Sequence, residues 1–279
     1  AIDVDSDGDL DGIAVALDLA AHEKTAINIV KTSDIPEFEK LTQAEISHKT
    51  GGKWVDHTRT KGFKEYVGGT FTNVDTLTPP AHYTDHSYWI RYEGPGIESD
   101  KVAYRIYLDW RNGFDIFGKT SQAPTLQKIG QDGYQSYHEM QEWGMDILKV
   151  GKSLGAGSFG FWDGKQVQGV SPVAGHSATI SNNGPIYSSV NVDYKGWEVN
   201  NTEVNVSANF SMVAGSRLVK AELDLSEALP NLAIGLVKHK NTTFIEGSRD
   251  IAGDSFSYVA SWGKQSLNDD HLGMAVIFR

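Results

Sequence analysis

The residues of this chain best suited to moving protons crowd into residues 130–160, which read GQDGYQSYHEMQEWGMDILKVGKSLGAGSFG. Tyr134, Tyr137 and His138 stand almost side by side, followed by Glu139, Glu142, Trp143, Lys149, Lys152 and a run of glycines. A segment selected for packing alone would repeat apolar residues. This one spends its positions on reactive side chains and backbone freedom, as the wall of an active site does.

Two motif readings inside the stretch fail on context. Gly155, Gly157 and Gly160 match G-x-G-x-x-G, but FWDGKQVQGV follows, which reads as a hairpin; a dinucleotide site needs a helix N-terminus there for the pyrophosphate. The glycines are therefore read as turn or close-approach positions. His138-Glu139-Met140-Gln141-Glu142 resembles the zinc-peptidase H-E-x-x-H, yet Glu142 stands where the second His must be. No G-x-S-x-G and no P-loop occurs, and nothing calls for an organic cofactor.

What remains is a kit of His, Tyr, Arg and Trp, which suits β-elimination from a uronic acid. That reaction needs the sugar carboxylate neutralised, the weakly acidic C5 proton taken by a base, and the departing O4 oxygen protonated. His138 is the leading base and Tyr137 or Tyr134 the leading acid. Arg105 and Arg111 supply planar forks for a carboxylate, Trp110 and Trp143 offer faces for sugar rings, and Trp89 and His239 complete the candidate substrate-binding set. His138 also reads as a hydrogen-bonded structural histidine. A divalent metal is an alternative way to neutralise the carboxylate, with His82, His86, His138, His176 and His239 as potential ligands, although no spacing singles out a set. The competing function is a non-catalytic carbohydrate-binding or mutarotase-like module, for which aromatic loops suffice.

The elements that must position these residues are strands. KVAYRIYLDW (101–110) alternates, with Val102, Tyr104, Ile106 and Leu108 on one face and Arg105 and Asp109 on the other, where they line a groove or meet solvent. After residue 160 come VQGVSPV, SATISNN, IYSSVNVDY, EVNVSANFSMVAG, RLVKAELDL, LAIGLVKH, FSYVASWG and LGMAVIFR, parted by turns such as residues 182–184 and 214–216. Without helices between them these strands cannot form a parallel sheet, so an all-β, antiparallel sandwich of large sheets is expected. Earlier, residues 13–20 and 26–32 suit strands, and residues 35–49 a short helix or a polar excursion. His82, Tyr83, His86, Tyr88, Trp89 and Tyr92 form an aromatic loop that stacks on a ligand or caps a sheet, ended by Glu93-Gly-Pro-Gly96. No composition break or repeat divides the chain, so one domain over residues 1–279 is expected.

With 279 residues, 39% of them hydrophobic, the chain can bury a substantial core. Its net charge of −11 argues against nucleic acid or an anionic membrane as partner. Zero cysteines exclude disulfides, thiolate metal sites and cysteine nucleophiles. No apolar run reaches the ~18 residues of a membrane span, and no signal-peptide pattern is present. At the start, Asp7, Asp9 and Asp11 with Gly12 and Asp18 occupy positions one, three, five, six and twelve of an EF-hand-like loop. A structural calcium is the sharper reading and a solvated acidic turn the plainer one, since Asp lacks the bidentate reach of Glu at the twelfth position.

Residues 92–119 and 129–162, with GLVKH (235–239), SWG (261–263) and LGMAVIF (272–278), resemble a bacterial family long labelled only as a domain of unknown function, which includes the ulvan oligosaccharide dehydratase type. The block SYHEMQEWGMDILKVGKSLG is the most specific part, and the acidic opening is similar to that family's early hairpin. The resemblance implies a galactose-mutarotase-like β-supersandwich. It further implies elimination of water or a glycosyl group at the non-reducing end of an acidic oligosaccharide, leaving a 4,5-unsaturated uronate, and a periplasmic or secreted location. It carries over to Tyr137, His138 and Trp143 by position, and implies further sequence before the acidic opening.

Overall fold

Long alternating segments dominate the second half of the chain, and in the computed structural model, which describes residues 1–3, 7–30, 37–57, 60–251 and 253–279, they are strands. In chain order the strands are β1 (Thr42–Glu45), β2 (Ser47–Thr50), β3 (Lys53–Asp56), β4 (Lys64–Val67), β5 (Thr70–Asn73), β6 (Thr76–Leu77) and β7 (Gly96–Ser99). Next come β8 (Ala103–Ile106), β9 (Phe114–Lys119), β10 (Gly144–Asp146), β11 (Ala156–Trp162), β12 (Val167–Gln168) and β13 (Gly175–Asn183). The last are β14 (Tyr187–Val199), β15 (Thr202–Val213), β16 (Val219–Leu225), β17 (Leu232–Leu236), β18 (Thr242–Ile251), β19 (Asp254–Lys264) and β20 (His271–Phe278). Among the described residues the helical segments are three short 3-10 turns.

The strands pair antiparallel into small sheets. Two have five strands, ordered β1-β7-β8-β9-β10 and β16-β15-β14-β13-β6, two have three, β12-β11-β17 and β18-β19-β20, and two have two. The all-β, antiparallel class expected from the sequence is present, as a propeller-like set of small sheets. The meander β13 to β16 forms where period-2 patterning is cleanest: Val204, Val206, Ala208, Phe210 and Met212 of β15 all point inward. Its β14–β15 hairpin turns on Asn200 and Asn201, whose φ of 51° and 59° suit a primed turn. Val204, Val206, Ala208 and Phe210 share a core with Ile46, Ile90, Ile106, Leu108 and Phe114 from the other five-stranded sheet and its neighbours, and Met212 joins a second core with Ile97 and Ile116.

The hairpin expected after Gly160 is present, with Phe161 opposite Gln168. Gly155 has φ +68° and Gly160 packs backbone to backbone; added Cβ atoms would lie 2.0 Å from the Phe114 carbonyl oxygen and 2.3 Å from that of Gln168. Both are close-approach positions, not a phosphate loop.

The first thirty residues differ from expectation. Residues 13–20 and 26–30 form no strand, and Ile13, Val15, Leu17, Leu19, Ile27 and Ile29 are exposed; residues 31 and 32 lie outside the described residues. Alternation marks a segment able to pair, but among the described residues no neighbouring strand supplies the ladder. Residues 42–50, within the expected helix or polar excursion, are β1 and β2. The acidic opening folds into a turn in which Asp7 accepts the Asp9 N–H (2.8 Å) and Asp3 that of Gly8 (2.9 Å). Among the described residues no three His, Asp or Glu side chains, Asp7, Asp9, Asp11 and Asp18 included, group as metal ligands.

Candidate functional site

The β1-β7-β8-β9-β10 sheet has two unlike faces. Ala44, Ile97, Ile106, Phe114 and Ile116 pack into apolar cores, whereas its ladder sets Glu45, Glu98, Arg105, Asp115 and Asp146 on the opposite face. That face is covered by irregular chain between β9 and β10, which contributes Leu126, Ile129, Tyr134, Tyr137 and Trp143. Because the cover is not a regular element, its backbone groups need side-chain partners. Glu98 accepts the N–H groups of Thr125 and Leu126, while Arg91 donates to the carbonyls of Leu126 and Ile129.

Arg105 lies at the centre and is 2% exposed. Asp115 stands directly opposite it on β9, and Asp146 reaches in from β10. Nη2 of Arg105 donates to Asp115 (2.6 Å) and Asp146 (2.7 Å), and Nη1 donates to the Tyr137 hydroxyl (2.9 Å). The guanidinium sits 4.7–5.3 Å from the ring centroids of Tyr107, Tyr137 and Phe117. Burial, and then the neighbouring Asp115, push the Asp146 carboxyl well above the usual carboxylate range. Glu93 bridges to a second cation: it lies 3.7 Å from Arg105 and 2.9 Å from Arg111, which also pairs with Asp109. Burial alone would raise the Glu93 carboxyl, but Arg111 and Arg105 overcome it and hold the group below its ordinary value.

Above this floor stand two half-exposed histidines tuned in opposite directions. His138 ends the 3-10 turn Ser136–His138; its side chain is 44% exposed and its Nε2 lies 3.5 Å from Asp146. Desolvation, then the positive Arg105, lower its pKa, so its ring is neutral at pH 7. His86, with a 63% exposed side chain, donates from Nδ1 to Asp85 (2.8 Å), and this bond raises its pKa. Asp85 also accepts from Trp110 Nε1 (2.7 Å). Tyr134 and Tyr137 lie between the histidines: the His86 ring is 6.4 Å from Tyr134, Tyr134 is 6.3 Å from Tyr137, and Tyr137 is 4.7 Å from His138. Tyr88 stacks on Tyr134 at 4.6 Å, is partly exposed, and its hydroxyl has no hydrogen bond among the described residues. His86, Tyr88, Tyr92 and Glu93 all hold φ between 43° and 71°, a concentration of strained backbone typical of functional loops.

The structure gives several sequence-selected residues other work. Tyr134 is buried and its hydroxyl donates to the Ile90 carbonyl (2.8 Å), so it anchors the cover. Tyr137 is buried beneath His138. Arg105 and Arg111 are spent on internal carboxylates, and Asp109 is buried with Arg111, so Arg105 and Asp109 form neither a groove wall nor a solvent face. Trp143 packs edge-on to Phe117 (5.9 Å). Trp89 is buried among His48, Trp54 and Tyr83 and donates to the Lys49 carbonyl (3.2 Å), so the aromatic loop partly caps a sheet. His239 lies on the β17–β18 connection, and no interaction among the described residues joins it to this cluster. His82 packs on Trp54 and His176 bonds the Leu108 carbonyl, so the potential metal-binding histidines do not converge. Trp110 keeps 47% exposure beside Asp85 and His86. Tyr88 was visible only as a member of the aromatic loop, and His86 only there and among the potential metal ligands; the adjacent Asp85 is the signal that could have singled out His86.

The fold and the site together define an all-β protein in which a buried ion cluster supports two surface histidines whose pKa values are shifted in opposite directions. The chain belongs to the family described as Domain of unknown function (DUF4861), whose model matches residues 1–279. No curated protein and no solved structure matches it. Among the described residues no helix is long and apolar enough to cross a membrane.

Proposed function

We propose that the protein eliminates water, or a glycosyl group, from the non-reducing-end uronate of an acidic oligosaccharide. The observation that carries this reading is the placing of His138, whose pKa is lowered, and His86, whose pKa is raised, over the linked rings of Tyr134 and Tyr137. His138 takes the C5 proton. Arg105 and Arg111 are buried against internal acids, whereas His86, although bonded through Nδ1 to Asp85, keeps an exposed ring that can donate from Nε2 to the sugar carboxylate. Tyr88 protonates the leaving oxygen as the C4–O bond breaks and the C4–C5 double bond forms. Trp110 offers an exposed ring beside His86. The resemblance to the ulvan oligosaccharide dehydratase type supports the same chemistry, a supersandwich relationship between the two five-stranded sheets, and a periplasmic or secreted location, where polysaccharide fragments are met.

Ulvan- and alginate-derived oligouronates should give rising ultraviolet absorbance from the conjugated product, with mass spectrometry separating loss of water from chain cleavage. A flat trace across such a panel with folded protein leaves a carbohydrate-binding module and removes the enzyme. The pH dependence follows from the two histidines. His138 must be neutral and its pKa is lowered, so the acid limb of kcat/KM falls below the ordinary imidazole value of about 6.5. His86 must be charged and its pKa is raised, so the alkaline limb falls above that value. A profile that only rises with pH through neutrality would remove His86 from the mechanism.

A further inference from the structure

The β18-β19-β20 sheet turns one face to the core through Ser261, Met274 and Val276 and the other outward. Along β19 the outward face carries Phe256, Tyr258 and Trp262 at period two. Two of these rings lie down on the sheet. Trp262 stands opposite Gly273, where an added Cβ would lie 3.0 Å from the indole Cε3. Tyr258 stands opposite Gly247, where an added Cβ would lie 2.6 Å from the phenolic oxygen. Each glycine lets a ring lie across its partner strand, so the rings present flat faces instead of protruding. Trp262 is 52% exposed, and the His271 ring stacks beside it at 5.6 Å and 29°.

The charge on this face opposes that of the chain. Arg249, Lys264 and Arg279 point outward from a protein of net charge −11. Asp254 pairs with Arg279 (2.9 Å) and Asp269 lies 3.7 Å from Lys264, while Arg249 has no acidic partner among the described residues. Arg279 also covers the Phe256 ring at 5.2 Å. The face continues toward the candidate site, because His271 lines a cleft of about 240 Å³ with Lys119, Asn268 and Met140, and Met140 follows His138 by two residues.

We infer that this face is a second carbohydrate site, a platform on which an extended uronic-acid polysaccharide lies with sugar rings on Trp262 and Tyr258 and carboxylates toward Arg249, Lys264 and Arg279. Flat aromatic area bordered by three basic side chains, of which Arg249 has no acidic partner among the described residues, fits a ligand with apolar ring faces and regularly spaced anions. The two rings are four residues apart on one strand, about 13 Å, so they grip separate sugars of one chain. The proposal rests on the uronate reading for its ligand class, but its test needs no turnover.

Affinity electrophoresis of the full chain in gels containing ulvan or alginate, with dextran as neutral control, reads the association directly. The wild-type protein is expected to be retarded by a polyuronate and not by dextran. Trp262→Ala should weaken that association about tenfold while turnover of short oligouronates is unchanged, and Trp262→Phe should retain most of the retardation. Retardation that depends on Trp262 in a protein that converts no oligouronate supports the platform and removes only the elimination reading. Retardation unaffected by Trp262→Ala, or no retardation of the wild type by either polyuronate, overturns the platform. Light scattering that shows a wild-type dimer reduced to a monomer by Trp262→Ala overturns it in favour of a second copy of this chain.

Discussion

Replacing His138 by Asn is expected to lower kcat/KM on an oligouronate by roughly 100- to 10,000-fold, the range associated with a positioned general base, and to abolish the acid limb of the pH profile. The fold spends little of its stability on this ring. Its side chain is 44% exposed, and the 3-10 turn that carries it is closed by backbone bonds, His138 N–H to the Gln135 carbonyl (3.2 Å) and Glu139 N–H to that of Ser136 (3.2 Å). Asn therefore leaves the backbone and the ion cluster in place, and urea unfolding should move little. What disappears is a neutral imidazole beside Arg105, whose positive charge is part of what keeps the ring unprotonated. A variant that keeps its rate and its acid limb would return His138 to a structural role and take the elimination reading with it.

Legibility in the sequence followed how far each segment's partners are also its neighbours in the chain. The meander from β13 to β16 was readable because alternation, β-branched residues and turn residues agree over four consecutive strands. β18, TTFIEGSRDI, was not, because its centre is polar and both its faces are largely exposed; only its pairing with β19 makes it a strand. The reverse error occurred at residues 13–20, where alternation is clean and no partner strand is present among the described residues. Local pattern gives the capacity to pair, and tertiary context decides whether pairing happens.

The candidate site was half legible for a similar reason. Reactive types in residues 130–160 pointed to a segment that covers the ion cluster, and alternation in residues 101–110 correctly separated Arg105 from Ile106. Alternation cannot say what covers a polar face, and here the cover is irregular chain, so Arg105 and Asp115 became an internal ion pair instead of a substrate clamp. The left-handed backbone at His86, Tyr88, Tyr92 and Glu93 was invisible because none of the four is glycine, the residue by which such positions are usually found.

Arg105→Met should be the most destabilising single substitution in the cluster, costing about 3–5 kcal/mol in urea unfolding at neutral pH. Methionine fills much of the volume between Tyr107, Phe117 and Tyr137 but leaves Asp115, Asp146 and Glu93 facing one another without their shared cation. The dependence on pH separates this cause from simple loss of packing. Arg105 lowers the pKa of Glu93 and of Asp146, so without it both folded-state values move upward, that of Asp146 still further above its unfolded value. Such groups stabilise the fold when protonated and lose that contribution as pH rises through the folded pKa. The gap between variant and wild type should therefore narrow as pH falls from neutral toward the ordinary carboxyl range, whereas a packing defect would leave it constant. Asp146→Asn gives the contrast. Burial and Asp115 already push the Asp146 carboxyl toward its neutral form, which an amide imitates in shape, so this variant should be far milder than Arg105→Met. A cost for Asp146→Asn equal to that of Arg105→Met would mean that Asp146 is ionised in the native protein, and would remove the neutral acid from beside His138 Nε2.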